Sequence, residues 1–117
     1  MKIIRLDKLP VQSLSHENPS YKGVVKKVLL TAKELTKRSV QMINWATLTP
    51  GSSVHSHSHK DMDELFIILS GRAKVIIDNE DMILERGDSV LLPSPKQHSM
   101  ENLGGVDVEY LVIGLII

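Results

Sequence analysis

Short stretches of alternating apolar and polar residues, separated by turn residues, run along most of this chain. Val40, Met42, Ala46 and Leu48 alternate with Gln41, Thr47 and Thr49, the pattern of a half-buried strand that ends at Thr49-Pro50-Gly51. Val24 to Leu30 mixes valine and leucine with Lys26 and Lys27, and the short apolar run Glu64 to Leu69 is broken by Ser70-Gly71. Ala73 to Ile77 and Met82 to Leu84 flank the polar turn Asp78-Asn79-Glu80-Asp81, which predicts a hairpin. Val90 to Leu92 follows Gly87-Asp88 and stops at Pro93; Val106 to Ile113 closes the series. Only Thr31 to Arg38 offers material for a turn or two of helix. Strands this short, with turn signals every eight to twelve residues, predict an all-β sandwich or barrel.

Length and composition narrow the reading. A chain of 117 residues has room for one hydrophobic core and is expected to fold as one domain without covalent staples. It has no cysteine, which excludes disulfides, thiolate metal sites and cysteine nucleophiles. Its 14 basic and 14 acidic residues balance, against the profile of a cationic nucleic-acid binder. No stretch approaches a membrane span, and Met1 to Asp7 lacks the apolar run of a leader, so a soluble, cytoplasmic protein is expected. The charge is nevertheless split. Residues 1–40 carry nine Lys or Arg against three Asp or Glu, and the remainder carries five against eleven. Because these basic residues are interleaved with Val, Leu and Ile, the N-terminal strands are expected to wrap an acidic body, their own or that of a second subunit.

The candidate chemistry is histidine-rich. Three of the five histidines lie in Val54-His55-Ser56-His57-Ser58-His59, and a fourth is His98. Alternate residues of a strand share a face, so His57 and His59 are spaced to grip one ion between them. Glu64, five residues on, opens the next strand without an apolar reason to be there. Two histidines and a carboxylate form a recurrent ligand set for a divalent metal. A solvated polar strand or loop is the competing reading of the histidine run alone.

The spacing of both motifs resembles that of the cupin superfamily. Gly51, five residues, His57, one residue, His59, four residues, Glu64, six residues and Gly71 resemble its first motif. Fifteen residues later, Gly87, five residues, Pro93, four residues, His98, three residues and Asn102 resemble its second. The resemblance implies a jelly-roll barrel (a double-stranded β-helix) filling residues 1–117, with a metal-binding core over residues 45–113. It also implies one divalent ion per chain (manganese, iron, nickel or zinc) held by His57, His59, Glu64 and His98. Four protein ligands around a six-coordinate ion leave two positions for a bidentate oxygen ligand. The expected function is metal-dependent chemistry of dioxygenase, decarboxylase or isomerase type on a small oxygen-bearing metabolite. The alternative is a cupin that binds or senses such a molecule without turning it over.

Other residues take lesser roles. Gly51, Gly71 and Gly87 stand at strand ends and are expected to adopt backbone angles that other residues resist. His55 is either a pocket-lining donor or substrate contact, or an exposed residue at a strand start. Asn102 is expected to hold the turn after the ligand strand. Met42, Trp45, Met62 and Met100 are within reach of the cavity, with core filling the ordinary role for methionine. The cupin second motif usually has glycine two residues after its proline; here Pro95 stands there, which rules out a glycine-only turn and admits a cis bond. Lys60 and Lys96 are candidates to steer an anion, and His16 is assigned nothing. Leu111 to Ile117 is too apolar for water, and read as an exposed strand end it predicts a homodimer.

Overall fold

The computed structural model describes residues 2–13, 24–34, 39–57 and 60–116, with residues 55–57 described by their backbone alone. Ten strands form two sheets: β1 (Gln12–Ser13), β2 (Val24–Thr31), β3 (Val40–Leu48), β4 (Ser53–His57), β5 (Met62–Ser70), β6 (Ala73–Ile77), β7 (Glu80–Leu84), β8 (Ser89–Leu92), β9 (His98–Asn102) and β10 (Val108–Ile116). The larger sheet runs β1-β2-β3-β10-β5-β8 and the smaller β4-β9-β6-β7, and every pairing in both is antiparallel. This is the all-β jelly-roll barrel that the sequence predicts. In place of the helix expected from Thr31 to Arg38, Ala32–Glu34 makes one 3₁₀ turn, and residues 35–38 lie outside the described residues.

Alternation sets the core. Along β10, Val108, Tyr110, Val112 and Gly114 are buried while Glu109, Leu111, Ile113 and Leu115 are half-buried; β3 and β5 keep the same period over most of their length. Inward residues of both sheets then interdigitate, as two packed sheets require. Leu48, Ile68 and Tyr110 from the large sheet are fully buried, and Val75 and Met100 of the small sheet belong to the same core. Truncating one of the large aliphatic members, such as Ile68, to alanine carries a cost of about 2–5 kcal/mol.

Turn chemistry closes the strands onto each other. Gly51, Gly71 and Gly87 all have positive φ, as their positions in the sequence predict. Gly71, at φ +83°, is the most constrained, because a Cβ there would come within 2.6 Å of the Asp107 carbonyl oxygen and 2.9 Å of the Val108 Cα. Asn102 also ties down the 103–107 segment. Its Nδ2 donates to the carbonyls of Leu48 and Val106, both at 2.8 Å, and its Oδ1 accepts from the Gly104 N–H at 2.9 Å. That is the turn-holding role expected of it.

One expectation is corrected. The apolar C-terminal run is no exposed strand end: β10 is paired with β3 on one side and β5 on the other. Its hydrophobicity reflects a central position, where one face meets the core and the residues of the other are half-buried among side chains of the flanking strands.

Candidate functional site

Glu64 and His98 come from different sheets and meet inside the barrel. Glu64 lies on the inward series Met62, Glu64, Phe66 and Ile68 of β5, and His98 on the inward series His98, Met100 and Asn102 of β9. Glu64 is 5% and His98 4% exposed, and Glu64 Oε1 lies 3.1 Å from His98 Nε2. Taking a carboxylate out of water is costly unless a partner compensates it, so a polar pair at this depth marks a specialised site.

Neighbouring residues fix this geometry. The Phe66 ring meets the His98 imidazole edge-on, with centroids 6.0 Å apart and planes at 89°, and its centroid lies 5.2 Å from that of Tyr110. The loop leading to His98 is pinned to the start of β5, since Asp63 Oδ1 accepts a 2.7 Å hydrogen bond from the Ser94 N–H. The Ser94–Pro95 bond within that loop is cis, one of the forms Pro95 admits. Opposite Glu64 on β10 stands Gly114, where a Cβ would run into the sulfur atoms of Met42 and Met62. The two thioethers thus occupy the space a larger residue would take.

The register of β4 against β9 brings a third candidate to the same place. Ser53 pairs with Glu101 and Val54 with Met100, so unbroken pairing would set residue 56 against His98. The register shifts between Val54 and His57, and position 57 stands opposite His98 instead. A one-residue shift exchanges the faces of a strand. Simple alternation onward from the buried Val54 would have favoured the even-numbered positions, so the irregularity at residues 55–56 is what gives position 57 its place. The side chains of His55 and His57, the whole of His59 and His16 lie outside the described residues. Among the described residues alone, no group of three or more His, Cys, Asp or Glu is placed to hold a metal.

The remaining candidates divide. Met42 and Met62 border the Glu64 position, and Met100 is core. Trp45 falls between the buried Asn44 and Ala46 and so belongs to the opposite face of β3. Lys60 is exposed, and Lys96 pairs with Asp78 at 3.4 Å on the surface.

Sequence reasoning passed over Asn44. It sits on the inward series of β3 between Met42 and Ala46, opposite Val112 of β10, and is 7% exposed. Among the described residues no group hydrogen-bonds its carboxamide. The signal was present in the alternation itself: Asn44 is the one polar residue at an apolar beat between Val40 and Leu48.

Comparisons with known proteins agree with this architecture. A family model described as "Cupin domain" matches residues 44–114. The chain is 31% identical over 96 residues to the oxalate-binding protein of Thermotoga maritima, covering 82% of this chain and 79% of that protein. It is 28% identical over 95 residues to the tetracenomycin polyketide synthase protein TcmJ of Streptomyces glaucescens, covering 80% of this chain and 63% of that one. Among solved structures, a protein of Thermotoga maritima described as a predicted oxalate decarboxylase superimposes with a TM-score of 0.86 at 25% identity, covering 99% of this chain and 100% of that chain. Both sequence motifs, the two-sheet barrel and the matched residues lead to one conclusion: the chain belongs to the cupin family.

Proposed function

We propose that this chain is a metal-dependent cupin acting on a small oxygen-bearing metabolite, with His57, His59, Glu64 and His98 as the ligands of one divalent ion. The observation that carries the reading is the buried Glu64–His98 pair, with position 57 set opposite His98 by the shifted register. The 3.1 Å between Glu64 Oε1 and His98 Nε2 suits the chemistry. Two donors each bound at 2.0–2.2 Å to one ion lie about 2.9–3.5 Å apart for angles between octahedral and tetrahedral. Imidazole and carboxylate together accept manganese, iron, nickel or zinc.

A bound divalent ion would supply Lewis-acid polarisation of a carbonyl or carboxylate oxygen. The rest is done by this chain's own groups. Phe66 packs edge-on against His98, and the Met42 and Met62 thioethers fill the space at Gly114, opposite Glu64. Asp63 holds the loop that delivers His98. Dioxygenase-, decarboxylase- and isomerase-type reactions all start from an oxygen substrate oriented in such a pocket.

A second reading, binding or sensing without turnover, has its own support. Among the described residues the buried polar or charged side chains are Asn44, Glu64, His98 and Asn102, so no buried carboxylate or imidazole stands there apart from the proposed ligands. The relative named an oxalate-binding protein points the same way. Metal-loaded protein incubated with oxalate, glycolate and pyruvate, followed by NMR, separates the two. Consumption that stops in Glu64→Gln supports an enzyme; saturable binding without consumption supports a binding protein.

We also propose a homodimer built on the outer face of the large sheet. Ile43, Ile113, Leu65 and Leu91 form one apolar row across four strands, and Trp45, Leu111 and Ile67 form the next. None of the seven is buried. A face this apolar suits self-association about a two-fold axis. The opposite charges of residues 1–40 and the remainder give two copies complementary surfaces. Light scattering should return twice 13.1 kDa, and Ile113→Asp should halve it; a 13.1 kDa species from the unmodified protein at micromolar concentration contradicts the dimer.

A further inference from the structure

We infer that Asn44 is the residue that orients the small molecule in this site, an inference that rests on the metal-dependent reading above. The argument begins with an imbalance. A carboxamide carries two donors and an acceptor with two lone pairs, and leaving such a group unpaired in a protein interior costs free energy. Asn44 is 93% buried on the inner face of β3, yet among the described residues it has no hydrogen-bond partner. Its Oδ1 and Nδ2 are not among the side-chain atoms sealed away without a partner, so the carboxamide is open to a small molecule.

Its position is suited to a ligand. Asn44 stands opposite Val112, which stands opposite Phe66, the ring that packs on His98. Two inter-strand steps of 4.7–4.9 Å and one two-residue step along β5 place its Cα roughly 12 Å from that of Glu64. That is too far for Asn44 to share an ion with Glu64, and close enough to reach a small molecule held beside Glu64 and His98.

Charge selects the class of molecule. Among the described residues on this part of the inner face, Met42, Asn44, Met62, Glu64, Phe66 and His98 include one carboxylate and no lysine or arginine. A divalent ion with three neutral imidazoles and one carboxylate has a net charge of +1, which a monoanion balances and a dianion exceeds. Small 2-hydroxy- or 2-oxocarboxylates meet the requirement. One carboxylate oxygen and the 2-oxygen fill the two positions left by four protein ligands, and the second carboxylate oxygen accepts a hydrogen bond from Asn44 Nδ2.

The test compares the unmodified protein with Asn44→Leu and Asn44→Asp, using manganese alone and then glycolate as probes. Metal content, melting temperature and glycolate affinity by calorimetry are measured for each. Asn44→Leu should keep its metal and melt no lower than the parent, while its Kd for glycolate rises about ten-fold or more. Asn44→Asp, nearly isosteric but anionic, should bind glycolate more weakly still. Unchanged glycolate affinity in Asn44→Leu overturns the proposal. So does loss of metal or a marked fall in melting temperature in that variant, which would make Asn44 structural. Parent protein that holds manganese but binds no glycolate overturns the role of Asn44 and leaves the metal site standing. Failure of the parent to take up manganese removes the metal reading and this proposal together.

Discussion

Asn44 and Asn102 are the same residue type at nearly the same depth, 7% and 5% exposed, and the chain uses them in opposite ways. Asn102 has partners on both ends of its carboxamide: it donates to Leu48 and Val106 and accepts from Gly104. Those bonds join the end of β3 to the turn before β10. Asn44 stands opposite Val112 on the inner face and has no protein partner among the described residues. A buried polar group that satisfies backbone carbonyls is part of the fold. One without a protein partner, on the same inner face as Glu64, is available to something that is not part of the chain.

The same substitution at both positions should therefore give different results. The largest effect is expected from Asn102→Leu, which leaves the Leu48 and Val106 carbonyls without their donor and should lower stability by about 3 kcal/mol or more in urea unfolding. A smaller loss, upwards of about 1 kcal/mol, is expected from Gly71→Ala, which needs positive φ and whose new Cβ would press on the backbone at Asp107 and Val108, beside the turn Asn102 holds. The smallest is expected from Asn44→Leu, within about 1 kcal/mol of the parent, since an unpaired amide gives way to an apolar group of similar size. Equal losses at positions 44 and 102 would erase the distinction. A gain in stability from Asn44→Leu would sharpen it.

How far the sequence could be read follows from the physics of each segment. Period-two alternation located β3, where one face meets the core and the other does not, and short apolar runs bounded by turn residues located β2, β5, β6 and β8. The ends were less clear: β7 begins at Glu80 rather than Met82, since polar residues on an exposed hairpin carry no hydrophobic signal. Motif spacing pointed to Glu64 and His98 as neighbours although they are distant in sequence and lie in different sheets, and the structure brings them to 3.1 Å. Local reading could not reveal the register shift at residues 55–56, because a bulge is defined only against the partner strand β9. Nor could it place β10 at the centre of a sheet, since an apolar run looks alike at an edge and between two partners. Asn44 was overlooked for a different reason. The alternation in β3 reads as apolar even with one beat missing, and the missing beat is the informative residue.

The central claim is that the Glu64–His98 pair belongs to a working metal site. Elemental analysis of tag-free protein, purified without added metal and run beside the His57→Ala/His98→Ala double variant, tests it most directly. The account predicts about one first-row divalent ion per chain in the parent and almost none in a variant that still folds. A parent that remains metal-free after reconstitution with manganese, iron, nickel and zinc would contradict it, and the buried pair would then be a structural polar contact inside a binding barrel.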